Sequence, residues 1–326
     1  MGMRVIKHFG RLWLDRRAVT GAFSEHLASP VLTPCAAVAT TLALVLVLGL
    51  LPVPLQPSFA AVLDPPNLTP KMSEAFAKYV RAVDARNHLQ LERGSNLLWI
   101  DALPEAARKR AYVELGRGEV QLEQRHTRES GEDTPCPVCM IHHWVGLVFI
   151  PGTKLDDVLR VLEDYDHHAE YYAPDVARSR VESRDGDHFR VFLRFRRQKV
   201  ITVVLNTEHA VTYFRDSASR AHSRSSATHI AEVDNAGKAN EREKTPGDDN
   251  GFLWGMETWW RMEEKDNGVY VQSEAVSLTR NIPTGLGWMI GPFVTGIPKE
   301  TLTFTLEATR KVVLAQSQTR ENAAHR

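Results

Sequence analysis

Cys136 and Cys139 are the pair whose residue types and spacing offer the most chemistry. His142 and His143 follow them closely along the chain. A c-type haem site requires a histidine directly after the second cysteine, and Met140 occupies that position instead. Two thiolates and one histidine are also a zinc or copper ligand set, although the chain has one such pair of cysteines and no second. In an exported protein this spacing is typical of a disulfide or a redox-active pair. We predict a structural disulfide, and the redox and metal alternatives stay open.

Polar residues elsewhere give weaker signals for catalysis or metal binding. His167 and His168 lie on a predicted short helix, where adjacent side chains point about 100° apart and rarely bind one ion together. No Ser/His/Asp pattern, no Cys/His pattern with local context and no glycine-rich phosphate loop occurs. We therefore predict no catalytic residue, no metal site and no cofactor. The polar residues considered for a cavity are Glu257, Glu274, Arg280 and His209, although strand alternation directs Glu257 to solvent.

The N-terminal region carries a segment that must leave water. No charged residue occurs between Leu27 and Leu63, and Ala36–Leu51 is a continuous run rich in Ala, Leu and Val. Basic residues dominate the stretch before it, so the positive-inside rule keeps the N-terminus in the cytoplasm and exports the rest. Ser58-Phe59-Ala60 matches the small-x-small pattern of a signal-peptidase site. We predict a periplasmic or extracellular protein whose residues 1–61 are a cytoplasmic n-region and cleaved signal peptide, with a retained membrane anchor as the alternative.

The charge balance excludes one class of partner. Forty basic and forty acidic residues cancel, so no net field draws the chain to nucleic acid. One predicted strand has a local basic face, which in the simplest interpretation is the solvated side of a hairpin. Its members are Arg190, Arg194, Arg196, Arg197 and Lys199. An anionic membrane surface is the partner that such a face would suit.

Two helices are predicted before the cysteine pair. Thr69 is a predicted N-cap, and Pro70 suits the first helical position. A second helix is predicted to begin near Asp101 and to end before Gly116. We therefore interpret residues 62–137 as a helical extension and linker.

After the cysteine pair the pattern changes to strands. His142–Ile150 is rich in β-branched and aromatic residues, and Thr153 is predicted to cap the helix that follows. A second short helix is predicted from Asp166. The Asp185-Gly186 and Asp266-Asn267-Gly268 sequences then indicate tight hairpin turns in an antiparallel series.

The remaining elements complete an α+β protein. Val200–Leu205 and His209–Phe214 are predicted as separate strands, and the polar residues 234–250 as an exposed insertion. Arg280–Gly296 is predicted to be a loop of glycines and large apolar residues. Pro298 then opens a long closing helix with apolar residues at helical spacing.

This order of elements resembles that of the START and birch-pollen-allergen (SRPBCC) superfamily. The residues that carry the resemblance are His143–Gly146, Val161–Tyr165 and Arg280–Pro283. The chain is especially similar to bacterial polyketide-cyclase-like and coenzyme-Q-binding START-type members. The resemblance implies the helix-grip fold, a curved antiparallel sheet wrapped on the long C-terminal helix, over residues 138–316, with 317–326 as a disordered tail. It also implies a cavity between sheet and helix that takes a lipid or another hydrophobic molecule.

Bulky apolar residues on the strands and on the closing helix agree with such a cavity. Strand alternation puts Met256 and Trp260 on one face with Trp254. We predict a lining of Trp144, Phe195, Trp254, Met256, Trp260, Leu302 and Leu306, and a mobile gate of Leu286, Trp288 and Phe293. Plain core packing of the same side chains is the alternative.

The sequence therefore predicts an exported carrier that holds a lipid or other hydrophobic small molecule without transforming it. A polyketide cyclase or dehydratase-like enzyme that uses the same cavity is one alternative. A protein-interaction module, in which the helical extension binds a partner, is the other.

Overall fold

The computed structural model describes residues 67–95, 97–125, 139–198, 201–281 and 287–324, with residues 287–295, 321 and 324 described as backbone only. These residues belong to one compact unit. The predicted signal segment and its cleavage site, Cys136, Lys199 and Leu286 lie outside the described residues. Within the described ranges, no helix combines the length and the apolar character needed to cross a membrane.

The described residues form five helices and nine strands. The helices are α1 (Pro70–Arg93), α2 (Glu105–Gly116), α3 (Leu155–Glu163), α4 (His168–Tyr171) and α5 (Gly287–Ala324). The strands are β1 (Gln121–Gln124), β2 (Cys139–Pro151), β3 (Val176–Asp185), β4 (His188–Gln198), β5 (Thr202–Ser217), β6 (Arg220–Asp234), β7 (Arg242–Glu243), β8 (Gly255–Lys265) and β9 (Gly268–Arg280). Short 3-10 turns occur at Trp99–Ala102 and Tyr165–His167.

One large antiparallel sheet organises these elements. Its strand order is β1-β2-β9-β8-β6-β5-β4-β3, and β7 pairs with β6. We call the face of the sheet that packs on α5 the inner face, and the opposite face, which packs on α1 and α2, the outer face. A curved antiparallel sheet against a long C-terminal helix confirms the predicted α+β class and helix-grip arrangement.

The main core lies between the inner face, α3 and α5. Val148 and Met262 from the sheet pack with Leu306 and Val313 from α5, and all four are fully buried. Gly146 allows the close approach of helix and sheet. A Cβ atom at this position would lie 2.5 Å from Leu306 Cδ1 and 2.8 Å from the Cδ2 atom of Leu122.

The N-terminal extension covers the outer face of the sheet. Val80 and Val83 of α1 pack on Trp259 and Val276. The 3-10 turn and α2 bury Ile100 and Leu115 against Leu147, Phe149 and Tyr270. The strand β1, which falls within the predicted extension, pairs with β2 at the edge of the sheet. The extension is therefore a structural layer of the same unit.

Several local signals act as the sequence predicts. Thr69 caps α1, because its Oγ1 accepts a hydrogen bond from the Met72 amide at 3.4 Å. Asp266 and Asn267 have φ angles of 54° and 55°, the left-handed values that a two-residue hairpin turn requires. Gly186, with a φ of 57°, serves the hairpin between β3 and β4 in the same way.

Three sequence predictions about element boundaries are wrong. The closing helix begins at Gly287 rather than Pro298, because propagating an existing helix is cheap even where glycine and proline disfavour it locally. The N-cap of α3 is Lys154, and Thr153 instead donates its hydroxyl hydrogen to the Ile150 carbonyl at 2.9 Å. The two strands predicted within residues 200–214 are the single strand β5, which the polar residues between them do not interrupt.

Candidate ligand-binding face

The centre of the inner face carries no charged side chain. Because side chains alternate along a strand, every second residue of each strand belongs to this face. The central positions fall in the ranges 142–146 of β2, 273–277 of β9, 256–260 of β8, 223–227 of β6, 207–211 of β5 and 191–195 of β4. None of the inner-facing residues in these six ranges is Asp, Glu, Lys or Arg. The outer-facing residues of the same ranges include Glu274, Glu257 and Arg224.

The structure brings most of the predicted lining residues together at this centre. Trp144 and Trp260 are half-buried and pack against the cluster that contains Leu302 and Leu306. Their strands are separated only by β9, and Trp144 is level with Thr258, so the positions of Trp144 and Trp260 lie about 12 Å apart across the sheet. Phe195 is half-buried in the neighbouring cluster of β4, α4 and α5. Together these side chains form an apolar surface that faces α5.

Met256 also belongs to the inner face, whereas Trp254 does not. Met256 is half-buried and pairs with Ser277. Trp254 packs with Met72 and Leu278, and its Nε1 atom donates a hydrogen bond to the Oδ1 atom of Asp249 at 2.8 Å. The predicted alternation fails at Trp254 because β8 begins only at Gly255, so the residues before it do not follow the pleat of the strand.

The described part of the predicted gate is helical rather than a loop. Trp288 and Phe293 lie within the backbone-only part of α5, and Leu286 lies outside the described residues. The two residues therefore belong to the long helix, whose propagation past Pro298 the sequence analysis did not anticipate. A gate at this place stays a prediction that the described side chains do not test.

Uncharged hydrogen-bonding groups are interspersed with the apolar surface. His209 is buried, with Nε2 2.9 Å from Thr207 Oγ1 and Nδ1 3.4 Å from the hydroxyl of Ser225. Burial lowers the pKa of His209 to about 4, so the imidazole is neutral at physiological pH. Ser223 and Ser273 are buried on the same face. The face can therefore form hydrogen bonds without presenting a charge.

Trp144 contributes a further hydrogen-bond donor to this face. Its Nε1 atom is buried and has no hydrogen-bond partner. Most buried polar atoms in proteins have a partner, since an unpaired donor that has lost its water costs free energy. The indole N–H of Trp144 is therefore available to a group that enters the space between sheet and helix.

Glu274 is the centre of a buried network on the outer face that the sequence analysis did not predict. Its Oε1 accepts a hydrogen bond from His143 Nε2 at 2.6 Å, and Arg86 forms an ion pair with the same oxygen. Its Oε2 accepts a hydrogen bond from Asn87 Nδ2 at 3.1 Å. The hydroxyl of Tyr79 completes the chain by donating to His143 Nδ1, with the two atoms 2.8 Å apart. Arg86, Asn87 and Tyr79 all belong to α1, so the network ties this helix to the sheet.

The electrostatics of this network fit a structural role. Burial alone would raise the pKa of Glu274, but the hydrogen bond from His143 and the charge of Arg86 outweigh it and lower the pKa to about 2. Burial lowers the pKa of His143, which leaves the imidazole neutral. His143 is 1% exposed and Glu274 is 2% exposed, so neither group meets solvent. The only signal of this network in the sequence is strand alternation, which puts His143 on the opposite face of the strand from His142.

The cysteine region is partly described. Cys139 is disulfide-bonded, while Cys136 lies outside the described residues, so their pairing stays a prediction. His142 and His143 point to opposite faces of β2, as their alternation predicts. His142 Nε2 lies 3.1 Å from Thr279 Oγ1, and His143 contacts Glu274 on the outer face.

The predicted basic face is largely neutralised by acidic neighbours. Arg194 is buried and reaches the 234–250 insertion through Glu241 Oε1 at 2.7 Å. Arg197 pairs with Asp175 and with Glu300, the latter at 3.0 Å. The described arginines of this face that remain exposed are Arg190 and Arg196.

The chain is similar in part to several solved structures. A STAR-related lipid transfer protein of Xanthomonas axonopodis superposes with a TM-score of 0.40 at 19% identity, covering 59% of this chain and 93% of that chain. Human STARD10 gives a TM-score of 0.37 at 9% identity, covering 69% of this chain and 86% of its own. The Zhui aromatase/cyclase of Streptomyces sp. R1128 gives a TM-score of 0.35 at 14% identity, covering 57% of this chain and 98% of its own.

These likenesses do not extend to sequence. No family model matches the chain, and no curated protein matches it.

Proposed function

We propose that this chain binds a hydrophobic small molecule between the inner face of the sheet and α5, and that it carries the molecule without transforming it. The observation that carries the proposal is the composition of the inner face. Half-buried Trp144, Trp260 and Phe195 are combined there with uncharged hydroxyl and imidazole groups, and the central positions of this face carry no charged side chain. Concave sites of this composition are the usual binding sites for apolar ligands.

The apolar surface that these half-buried aromatic side chains leave exposed sets the scale of the binding free energy. A ligand that covers about 200 Å² of apolar surface contributes roughly 5 kcal/mol at the usual 25 cal/mol per Å². Part of this gain offsets the lost freedom of the ligand. Aromatic and methionine side chains suit such a surface because they offer large contact areas, and Met256 adds a side chain that adapts to different shapes.

Binding is favoured over catalysis by the character of the polar groups. General acid–base catalysis needs a group whose pKa lies near the working pH. The pKa of His209 is about 4, and both of its ring nitrogens already have hydroxyl partners. Glu274 and Glu257, two candidates for catalysis in the sequence, belong to the outer face. The α1 helix is packed on that face, which also disfavours a role for the extension as a free interaction module.

We further propose that the protein works outside the cytoplasm. The apolar run and the Ser58-Phe59-Ala60 sequence support export. The disulfide bond of Cys139 supports an oxidising compartment, where such bonds persist. Contact with an anionic membrane surface through Arg190 and Arg196 is part of this proposal, and a salt-sensitive association with anionic liposomes would test it.

Titration with the uncharged hydrophobic dye Nile red tests the binding proposal. We expect the wild-type protein to bind the dye with a blue-shifted emission, and Trp260→Ala to weaken binding at least about tenfold, because it removes a large part of the apolar surface. Trp254→Ala is the matched control, since it removes an equal side chain from the outer face. Equal losses in both variants, or no binding by a folded wild type, would contradict the proposal.

A further inference from the structure

We infer that the ligand is an uncharged molecule with an oxygen atom that accepts a hydrogen bond from Trp144 Nε1. This inference rests on the proposed function and makes it more specific. It adds a recognition element, because apolar contact alone does not distinguish a hydrocarbon from a ketone, an ester or an alcohol. Two independent observations carry it: the unpaired indole N–H and the absence of charge at the centre of the inner face.

The position of Trp144 directs its ring to the space beside α5. Trp144 shares the inner face with Gly146, two residues along β2, where α5 approaches the backbone closely through Leu302 and Leu306. Its cross-strand neighbours are Ala275 of β9, a small residue that leaves the indole room, and Gln124 of β1, which is exposed. The ring packs against the main core, while Nε1 remains buried without a partner. An acceptor oxygen on a ligand would complete this hydrogen bond.

The surrounding side chains determine which acceptors fit. An ionised carboxylate or ammonium group buried without a counter-charge is strongly disfavoured, and the central positions of this face supply none. The hydroxyls of Thr207 and Ser225 and the neutral ring of His209 already bond one another. The face therefore favours a polar group that needs one donor and no counter-charge, such as a carbonyl or hydroxyl oxygen.

Trp99 provides a matched control within the same chain. Its Nε1 atom is also buried without a partner, but its ring packs on the outer-face cluster with Ile100 and Leu115. Trp99→Phe and Trp144→Phe thus remove the same N–H group and retain an aromatic ring on opposite sides of the sheet. Only the second change is expected to alter recognition of a ligand oxygen.

Equilibrium dialysis of four naphthalene compounds tests the inference. They are naphthalene, its 2-acetyl ketone, 2-naphthoate and a 2-naphthylmethylammonium salt. We expect the wild type to bind the ketone about fivefold more tightly than naphthalene, as one net hydrogen bond provides, and both ions at least about tenfold more weakly than the ketone. Trp144→Phe should abolish the preference for the ketone, while its smaller ring weakens the apolar contact with naphthalene and with the ketone alike. Trp99→Phe should change none of the four affinities.

The wild-type series tests the inference even where Trp144→Phe does not fold. Equal affinities for naphthalene and the ketone, or tightest binding of either ion, would overturn the inference while leaving the hydrophobic-ligand proposal intact. A ketone preference that survives in folded Trp144→Phe would also overturn it. Failure of all four compounds and of Nile red to bind would overturn the proposed function as well.

Discussion

Replacing Glu274 with glutamine should destabilise the protein at neutral pH. In acid this destabilisation should disappear. The substitution keeps the shape of the side chain but removes the negative charge that balances Arg86 and accepts the hydrogen bond from His143. A pKa held at about 2 instead of the ordinary value of 4.5 corresponds to about 3 kcal/mol of stability. This agrees with the roughly 3–5 kcal/mol lost when one partner of a buried ion pair is removed.

The pH dependence of this loss has a definite sign. Because the pKa of Glu274 is lower in the folded than in the unfolded protein, its stabilisation is complete above pH 4.5 and is lost as the pH falls towards 2. Urea unfolding followed by circular dichroism should therefore give a wild-type free energy about 3 kcal/mol above that of Glu274→Gln at pH 7. The difference should narrow progressively below pH 4.5.

Glu257→Gln is the control for this experiment. Glu257 lies on the neighbouring strand β8, with its side chain on the outer face, and contacts Arg224 and Ser226. Burial raises the pKa of this carboxyl. Its charge is therefore not stabilised by the fold, and its substitution should cost less than that of Glu274. A loss below about 1 kcal/mol for Glu274→Gln, or a loss that does not change with pH, would refute the assignment of Glu274 as the anchor of α1.

Two further predictions concern the inner face. Gly146→Ala should lower the free energy of unfolding by about 1–3 kcal/mol in the same assay, because the new Cβ would lie 2.5 Å from the fully buried Leu306. Gly116→Ala is the control and should not lower it, because no atom lies within 4 Å of the new Cβ. Burial lowers the pKa of His209 to about 4, so its contribution to stability is complete above pH 6.5 and falls as the pH drops towards 4. Between pH 7 and pH 4.5 the free energy of unfolding should therefore fall by about 2 kcal/mol less in His209→Gln than in the wild type. Buried His168, whose pKa is also about 4, still lowers the stability of the variant in this range. If the free energy of unfolding of His209→Gln depended on pH as strongly as that of the wild type, this assignment would be contradicted.

Local signals in the sequence were sufficient to predict most of the fold. The Thr69 cap and the Asp266-Asn267 turn act through neighbouring residues, so their types and spacing predict them directly. Alternation likewise placed Trp144, Met256 and Trp260 on the face that meets α5, but it failed at Trp254, where the strand had not yet begun.

The features that the sequence did not predict depend on contacts between distant residues. Glu274 meets Asn87 across 187 positions, and no local pattern indicates that α1 supplies its partners. The unpaired Nε1 of Trp144 depends on packing around the ring, which the residue type alone does not reveal. The start of α5 at Gly287 reflects the cooperativity of a 38-residue helix rather than the preferences of its first residues.

Native mass spectrometry of the full chain, purified from a bacterial lysate that contains membranes, tests the central claim most directly. We expect one uncharged hydrophobic molecule per chain, identified after organic extraction, that Trp260→Ala loses and Trp254→Ala retains. An empty wild-type protein that also takes up no lipid or hydrophobic dye would contradict the claim that this face binds a ligand.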